Sequence, residues 1–508
     1  NYDLTLALYE LTVESAYLSG DFSESQRWAE ILLQNAQIIL DKVKAYEIQL
    51  LACVAQKKSL EAIALGQQTL AQLGIAISTT PTDADIQQAW QETADLIPQA
   101  KIPSLLDLPL MTDAHALAAL RILNSMAATV YLAQPKLLPL IVLLQVKLSL
   151  LHGNAPVSAG AYARYSFILC GKINDVEAGY AFGCLALKLA EQFNHKEIST
   201  RVLLMVGALT LPWKVHLREG IPLLQAAYLD GLASGTLDGA ALSHFYESQS
   251  SYLVGQELQE LVGKVATHSE QIRQIKQELH LNNNELLRQV VLNLTGQSKN
   301  PCKLVGEAFD EAKMLPLFHS SSNIFGLYCL NLHKLMLCYW FGEHEAAVEY
   351  ATSTTHYLGG STAQATVPLL YFYDSLARLA QYASASASEQ HFILTQVADN
   401  QTKIKDWANH APMNFQHKFD LVQAEQHSRL GQKADAIEFY DRAIAGAKAH
   451  GYIQEEALAN ELAAKFYLAW GKEKIAQAYL TDAYYGYAHW GAKAKVQDLA
   501  RRYPRLLA

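Results

Sequence analysis

Three histidines, His410, His417 and His427, crowd the stretch HAPMNFQHKFDLVQAEQHSRLG at 410–431. Imidazoles gathered so closely are raw material for a metal centre or for acid–base catalysis. The spacing argues against both. Seven residues put two side chains on one helix face but two turns, or ~10 Å, apart. The ligands of one ion stand about 2 Å from it and favour an i, i+4 pair. Pro412 also separates His410 from the helix that carries His417. The three therefore read as packing and surface groups at the edge of a structural repeat, and no metal ligand is assigned.

Two further groups invite chemistry. In YFYDSLARL (371–379), Tyr373 adjoins Asp374 and Arg378, an i, i+4 couple that reads most simply as an intrahelical ion pair. Trp213, Lys214, His216, His244, Tyr246 and Tyr252, together with Tyr373, Asp374 and Arg378, could line a groove for a partner or ligand, because helical arrays present concave surfaces. Core packing is the simpler reading of the same aromatics. No GxxxxGK[ST] loop, no GxGxxG after a strand, no HExxH and no GxSxG occurs. No catalytic, metal-binding or cofactor-binding residue is therefore expected, and the segment itself does not read as an enzyme.

What must position these groups is legible from composition. The 508 residues carry a net charge of −9, are 51% hydrophobic and 18% charged, which fits a folded chain with much buried surface. A nucleic-acid partner would call for a basic footprint, and so would an anionic membrane. The most apolar stretch, LLPLIVLLQVKLSLL at 137–151, is interrupted by Gln145 and Lys147 and falls short of the roughly 18 apolar residues of a span; a buried helix is expected there. No charged-then-apolar leader is present, and a first residue of Asn1 suggests a segment of something longer. Six cysteines without a CxxC pair are expected as free thiols in a reducing cytoplasm.

Helical signals run nearly end to end, and strand patterns are scarce. Cap residues followed three positions on by an acid or amide mark expected starts at Ser23, Asn174, Asn194, Asn282 and Ser386. A second grammar repeats: an apolar or aromatic residue, a glycine, then a polar turn. It occurs at YLSGDF (17–22), ILCGKI (168–173), YLVGQE (252–257), YWFGEH (339–344), SRLGQK (428–433) and LAWGKE (468–473). The glycine ends one helix of a hairpin. Twelve residues later stands Gly183, Thr267, Thr354, Ala443 or Ala483, small enough for close helix approach, with Leu32 the exception.

In the clearest units, Ile437, Tyr440, Ile444 and Ala447 line one face, and Leu458, Leu462, Phe466 and Trp470 another. Such hairpins bury their faces by stacking. The expected fold is all-α, a tetratricopeptide-like α-α superhelix of roughly a dozen hairpins. Hairpins at 1–97 would be followed by an irregular joint at 98–113, central repeats at 114–299, a second joint at 300–323 and repeats at 324–508. The basic carboxyl end, with Lys493, Lys495, Arg501, Arg502 and Arg505, is either a solvated end cap or the start of a helix into a further domain.

The stretch ALANELAAKFYLAWGKEKIAQAYLTDAYYGYAHWGAKAKVQDLARRYP (457–504) resembles the end of the helical-repeat section of very large bacterial, notably cyanobacterial, signalling kinases. DLPLMTDAHALAALRIL (107–123), GNAPVSAGAYARYSFILCG (153–171), NPCKLVGEAFDEAKMLPL (300–317) and HAPMNFQHKFDLVQAE (410–425) are similar to other parts of it. In that family a serine/threonine kinase and an AAA-type NTPase precede the repeats, and a GAF domain and a sensor histidine kinase follow. The resemblance implies a cytoplasmic regulatory module that binds neighbouring domains, a protein or a small-molecule inducer and couples the NTPase to kinase output. It implies ATP and magnesium only in those other domains. The alternative expectation is a free-standing peptide-binding adaptor.

Overall fold

The computed structural model describes residues 1–97 and 99–507. Pro98, in the first expected joint, and Ala508 lie outside the described residues. The fold is all-α: among the described residues there are twenty-four α-helices, no strand, and two isolated bridges. Most successive helices pack on one another, as in the hairpins that short glycine-ended turns favour. The chain divides into two compact units, residues 1–169 with 181–202, and residues 170–180 with 203–508.

The first unit begins with the hairpins Tyr2–Leu18/Phe22–Asn35 and Ile39–Ala55/Ser59–Gln72, whose core includes Val13, Ala29, Leu32, Ala45 and Ile48. Its apolar stretch is the helix Leu138–His152, with Ile141, Val142, Leu143 and Val146 buried. Gln145 and Lys147, which interrupt that run, each find a polar partner. Gln145 accepts a hydrogen bond from the buried Arg164, and Lys147 reaches Glu92 at 2.9 Å. No helix among the described residues is long and apolar enough to cross a membrane. Gly66 marks a close approach, because a Cβ there would stand 2.3 Å from the Met126 sulfur.

The second unit runs from Leu203 through the helices Leu237–Leu253, Leu258–Gln274, Ile324–Trp340, Val367–Gln381, Pro412–Arg429 and Ile453–Ala469 to Lys493–Arg502. A large core cluster runs through it, with Phe245, Tyr252, Leu335, Tyr373, Tyr440, Leu462 and Trp490 among its members, and smaller clusters around Trp213 and Ile272 stand beside it. Both expected apolar faces point inward. Tyr440, Ala447, Leu458, Leu462 and Phe466 are buried, and only Trp470, at a helix end, stays exposed.

The hairpin glycines Gly20, Gly255, Gly342, Gly431 and Gly471 all take a left-handed φ between 74° and 86°. Gly171 does not. It sits in a π-helical turn, and a Cβ there would stand 2.7 Å from the Ala363 backbone nitrogen, so its role is contact and not turning. Of the small residues twelve positions on, Gly183, Thr354, Ala443 and Ala483 are buried, as is Leu32. Thr267 instead faces out, its hydroxyl donating to the Gly263 carbonyl.

The expected helix starts need more correction. Ser386 does form a reciprocal capping box with Glu389. Ser23 lies inside its helix, whose cap is Asp21. Asn174 and Asn194 take φ of 63° and 49°, ending the turns before them, and Asp175 accepts from the Ala178 amide in place of Asn174 at the helix Val176–Phe193. Asn282 lies within the helix Glu278–Leu294. Asparagine tolerates the left-handed conformation better than other non-glycine residues, so the same letter serves either end of a helix.

Candidate functional site

The three histidines of 410–431 each find a different partner. His410 closes the helix Ala387–His410, with Nδ1 3.6 Å from Glu177 Oε1. His427 stacks on Phe439, and its Nδ1 lies 2.5 Å from Gln432 Oε1. His417 is buried against Glu455. They converge on no common point.

The residues flagged for a groove are also dispersed within the second unit. Trp213 is enclosed, donates its indole N–H to the Ala363 carbonyl at 3.1 Å and packs on Trp407 and Phe415. Lys214 pairs with Glu177. The His216 ring lies 5.2 Å from Tyr452, and its Nε2 is 2.9 Å from the His450 carbonyl. Tyr246 receives a hydrogen bond from Gln364 at 2.5 Å. Tyr252 and Tyr373 are fully buried, the first between His333 and Trp490, the second against Tyr339 and Trp340. Asp374 and Arg378 pair at 2.8 Å along their helix, and Asn400 donates to the other carboxylate oxygen. His244 belongs to a separate cluster with Glu247 and His268. The aromatics of the group thus line the core of the unit and not an open face.

What the structure does assemble is a set of buried ionic networks. In the first, Lys418 Nζ stands 2.8 Å from Glu455 Oε2 and donates to the Asn414 carbonyl, and the same carboxylate oxygen meets His417. Burial, and then the Lys418 charge, hold His417 down at about 4, so it is neutral at pH 7. Burial also lowers Lys418, against the pull of Glu455. Burial alone would raise the Glu455 carboxyl, but Lys418 and His417 outweigh it and keep it ionised.

Asn414, one turn before Lys418, ties distant parts of the unit together. Its amide donates to the carbonyls of Pro212 at 2.8 Å and Val215 at 2.7 Å, and its oxygen accepts from the Leu217 amide and the Tyr452 hydroxyl. Arg218 also donates to the His450 carbonyl.

The second network centres on Glu461, only 1% exposed. Lys495 at 3.0 Å, Lys465 at 2.8 Å and the Tyr487 hydroxyl at 2.9 Å surround it. Burial would raise this carboxyl, but the two ammonium groups bring it to about 2. Lys495 donates onward to the Trp340 carbonyl at 2.6 Å and lies 3.5 Å from Asp498. The basic carboxyl end is therefore not uniformly solvated: Lys495 is enclosed, while Arg501 and Arg502 pair with Asp498 near the surface.

Beside the Lys418–Glu455 network, a cavity of about 20 Å³ is lined by Pro212, Leu253, Leu369, Asn414, Lys418 and Glu455. That is room for a water molecule or two, far below the hundreds of Å³ of a small-molecule site. Lys418, Glu455 and Glu461 carried no signal in the sequence, and Lys495 stood out only as one charge of the basic carboxyl end. Each lies on a helix whose pattern suits an exposed charge equally well, and only packing against other helices encloses it.

Geometry and composition together define an all-α helical-repeat protein. No family model matches the chain. Over 56 residues, 11% of its length, it is 43% identical to the hybrid signal transduction histidine kinase G of Dictyostelium discoideum, and that stretch is 2% of the relative's length. A solved circular tandem repeat protein with novel repeat topology and enhanced subunit contact surfaces aligns at 14% identity over 99% of this chain and 94% of its own, with a TM-score of 0.16. So low a score lends the fold no support. The fold rests on the helices themselves.

Proposed function

We propose that the chain is a regulatory helical-repeat section of a cytoplasmic multi-domain signalling kinase. It would bind neighbouring domains, and a protein or inducer, and couple an NTPase to kinase output. The observation that carries this reading is the 43% identity over 56 residues to a hybrid signal transduction histidine kinase. The close packing around Glu455 is in keeping with it, since the two voids there hold no more than a water or two and such a stack would work through its outer faces. ATP and magnesium would belong to other domains of the parent. Regulation would run through a change in hairpin packing, and it needs a partner with different affinity for the two packings. The free-standing peptide adaptor has less support, because Trp213, Tyr252 and Tyr373 are enclosed.

An antibody raised against this chain tests the reading on an immunoblot of the cells that make it. A band several times larger than a 508-residue polypeptide is expected. A single band at the size of the chain alone would overturn the proposal and favour the adaptor.

A further inference from the structure

Away from the networks described, the second unit gathers two histidines and a carboxylate at one buried point. His244 and Glu247 stand one turn apart on the helix Leu237–Leu253, and His268 faces them from the helix Leu258–Gln274. All three are buried, and one ligating atom from each falls within 4.8 Å of the others. Glu247 Oε2 lies 3.5 Å from His268 Nε2 and 3.7 Å from His244 Nδ1.

The remaining atoms of these groups are engaged on their far sides. Glu247 Oε1 accepts from Gln225 at 2.8 Å and meets the Lys264 ammonium at 2.8 Å. His268 Nδ1 lies 2.9 Å from the Ser248 hydroxyl. Outer partners of this kind orient metal ligands and leave one atom of each facing inward. His244 is the odd member: it is 5% exposed, and neither ring nitrogen has a hydrogen-bond partner among the described residues. A buried polar ring left so is costly unless something else satisfies it.

We propose that His244 Nδ1, Glu247 Oε2 and His268 Nε2 form a site for a borderline divalent transition ion of the zinc class. Two imidazoles and a carboxylate on facing helices suit such an ion, with a fourth position left for water. Bonds of roughly 2.0–2.1 Å at tetrahedral angles put ligand atoms about 3.3 Å apart, so the two contacts to Glu247 need to close by only a few tenths of an ångström. The larger movement falls on His244. It stacks on His268 with ring centres 3.9 Å apart and planes 10° from parallel, and on Tyr228 at 3.6 Å. In-plane lone pairs of parallel rings do not meet, so binding tilts His244 out of the stack, and that ring has no hydrogen bond to lose. Lys264 is partly solvent-exposed and stays on the outer carboxylate oxygen, where it neutralises Glu247 in the metal-free state. The ion would clamp one hairpin, whatever the role of the whole chain.

Titration of the metal-stripped full chain with Zn²⁺, and with Co²⁺ for its visible d–d bands, tests the site. One equivalent should bind with nitrogen and oxygen donors and raise the melting temperature. His244→Ala and His268→Ala should each abolish that binding, and Ser248→Ala should weaken it roughly tenfold through the outer shell. Circular dichroism checks the fold of each variant, and His244→Ala remains informative if His268→Ala unfolds. Cys302→Ser should leave binding intact. Absence of binding to the folded chain would overturn the proposal. So would binding that survives His244→Ala and His268→Ala, or sulfur-to-cobalt charge-transfer bands that vanish in Cys302→Ser.

Discussion

His333 offers a quantitative test of how burial controls acid stability in the second unit. It lies on the helix Ile324–Trp340, 3% exposed, edge-on to Tyr252. Burial alone lowers it to about 4, against about 6.5 in an unfolded chain. Between those values the unfolded state takes up a proton that the folded state refuses, so stability is full above the unfolded value and falls as pH drops toward 4. At pH 5 the difference of about 1.5 pH units below the unfolded pKa amounts to about 2 kcal/mol at ~1.4 kcal/mol per unit. His333→Leu removes the titration with little change in volume. Amide exchange of peptides spanning Ile324–Trp340, at pH 7 and pH 5 and corrected for intrinsic rates, reads the local opening free energy. The wild-type chain also carries the titrations of His417 and His344, each lowered to about 4. The variant should therefore still lose stability on acidification, but about 2 kcal/mol less than wild type. An equal loss in both would show that His333 is already protonated or solvated when folded, and the burial argument would fail.

Three further outcomes follow from the packing. Asn414→Ala leaves two carbonyls, one amide and the Tyr452 hydroxyl without their partner, and should cost about 3 kcal/mol in urea unfolding; a loss under ~1 kcal/mol would mean that water replaces the amide. Lys495→Met should destabilise by roughly 3 kcal/mol, because it strips a buried carboxylate of one of two cations, and Glu461→Gln combined with it should cost much less than the sum of the single changes. Strict additivity in that cycle would contradict the network. Gly171→Ala should lower the melting temperature more than Gly431→Ala. The first drives a methyl into the Ala363 backbone, while the second meets open space and bears only left-handed strain of ~1 kcal/mol.

The repeat grammar was readable because its causes are local. A glycine that must take positive φ, as at Gly20, Gly255, Gly342, Gly431 and Gly471, shows itself by type alone. The inward faces through Tyr440 and Leu462 follow from helical period in the same way. The capping box at Ser386 was equally plain, since both partners lie within four residues. Asn174 and Asn194 were misplaced because an asparagine that opens a helix and one that closes it look alike when only the near neighbours are considered.

The amino-acid sequence by itself thus determined an all-α chain of stacked hairpins, which are short-range consequences of periodicity and turn chemistry. The tertiary structure alone decided which charges go inside. Lys495 and Arg501 share one basic helix, yet the first is enclosed beside Glu461 and Trp340 and the second is open to water. The same holds for Lys418 beside Glu455, and for His268 brought to His244 and Glu247 from the next helix. Lys495 lies 34 residues from Glu461 and 155 from Trp340, and His268 lies 21 from Glu247, so burial and charge pairing there depend on how the hairpins stack and not only on a pattern along one of them.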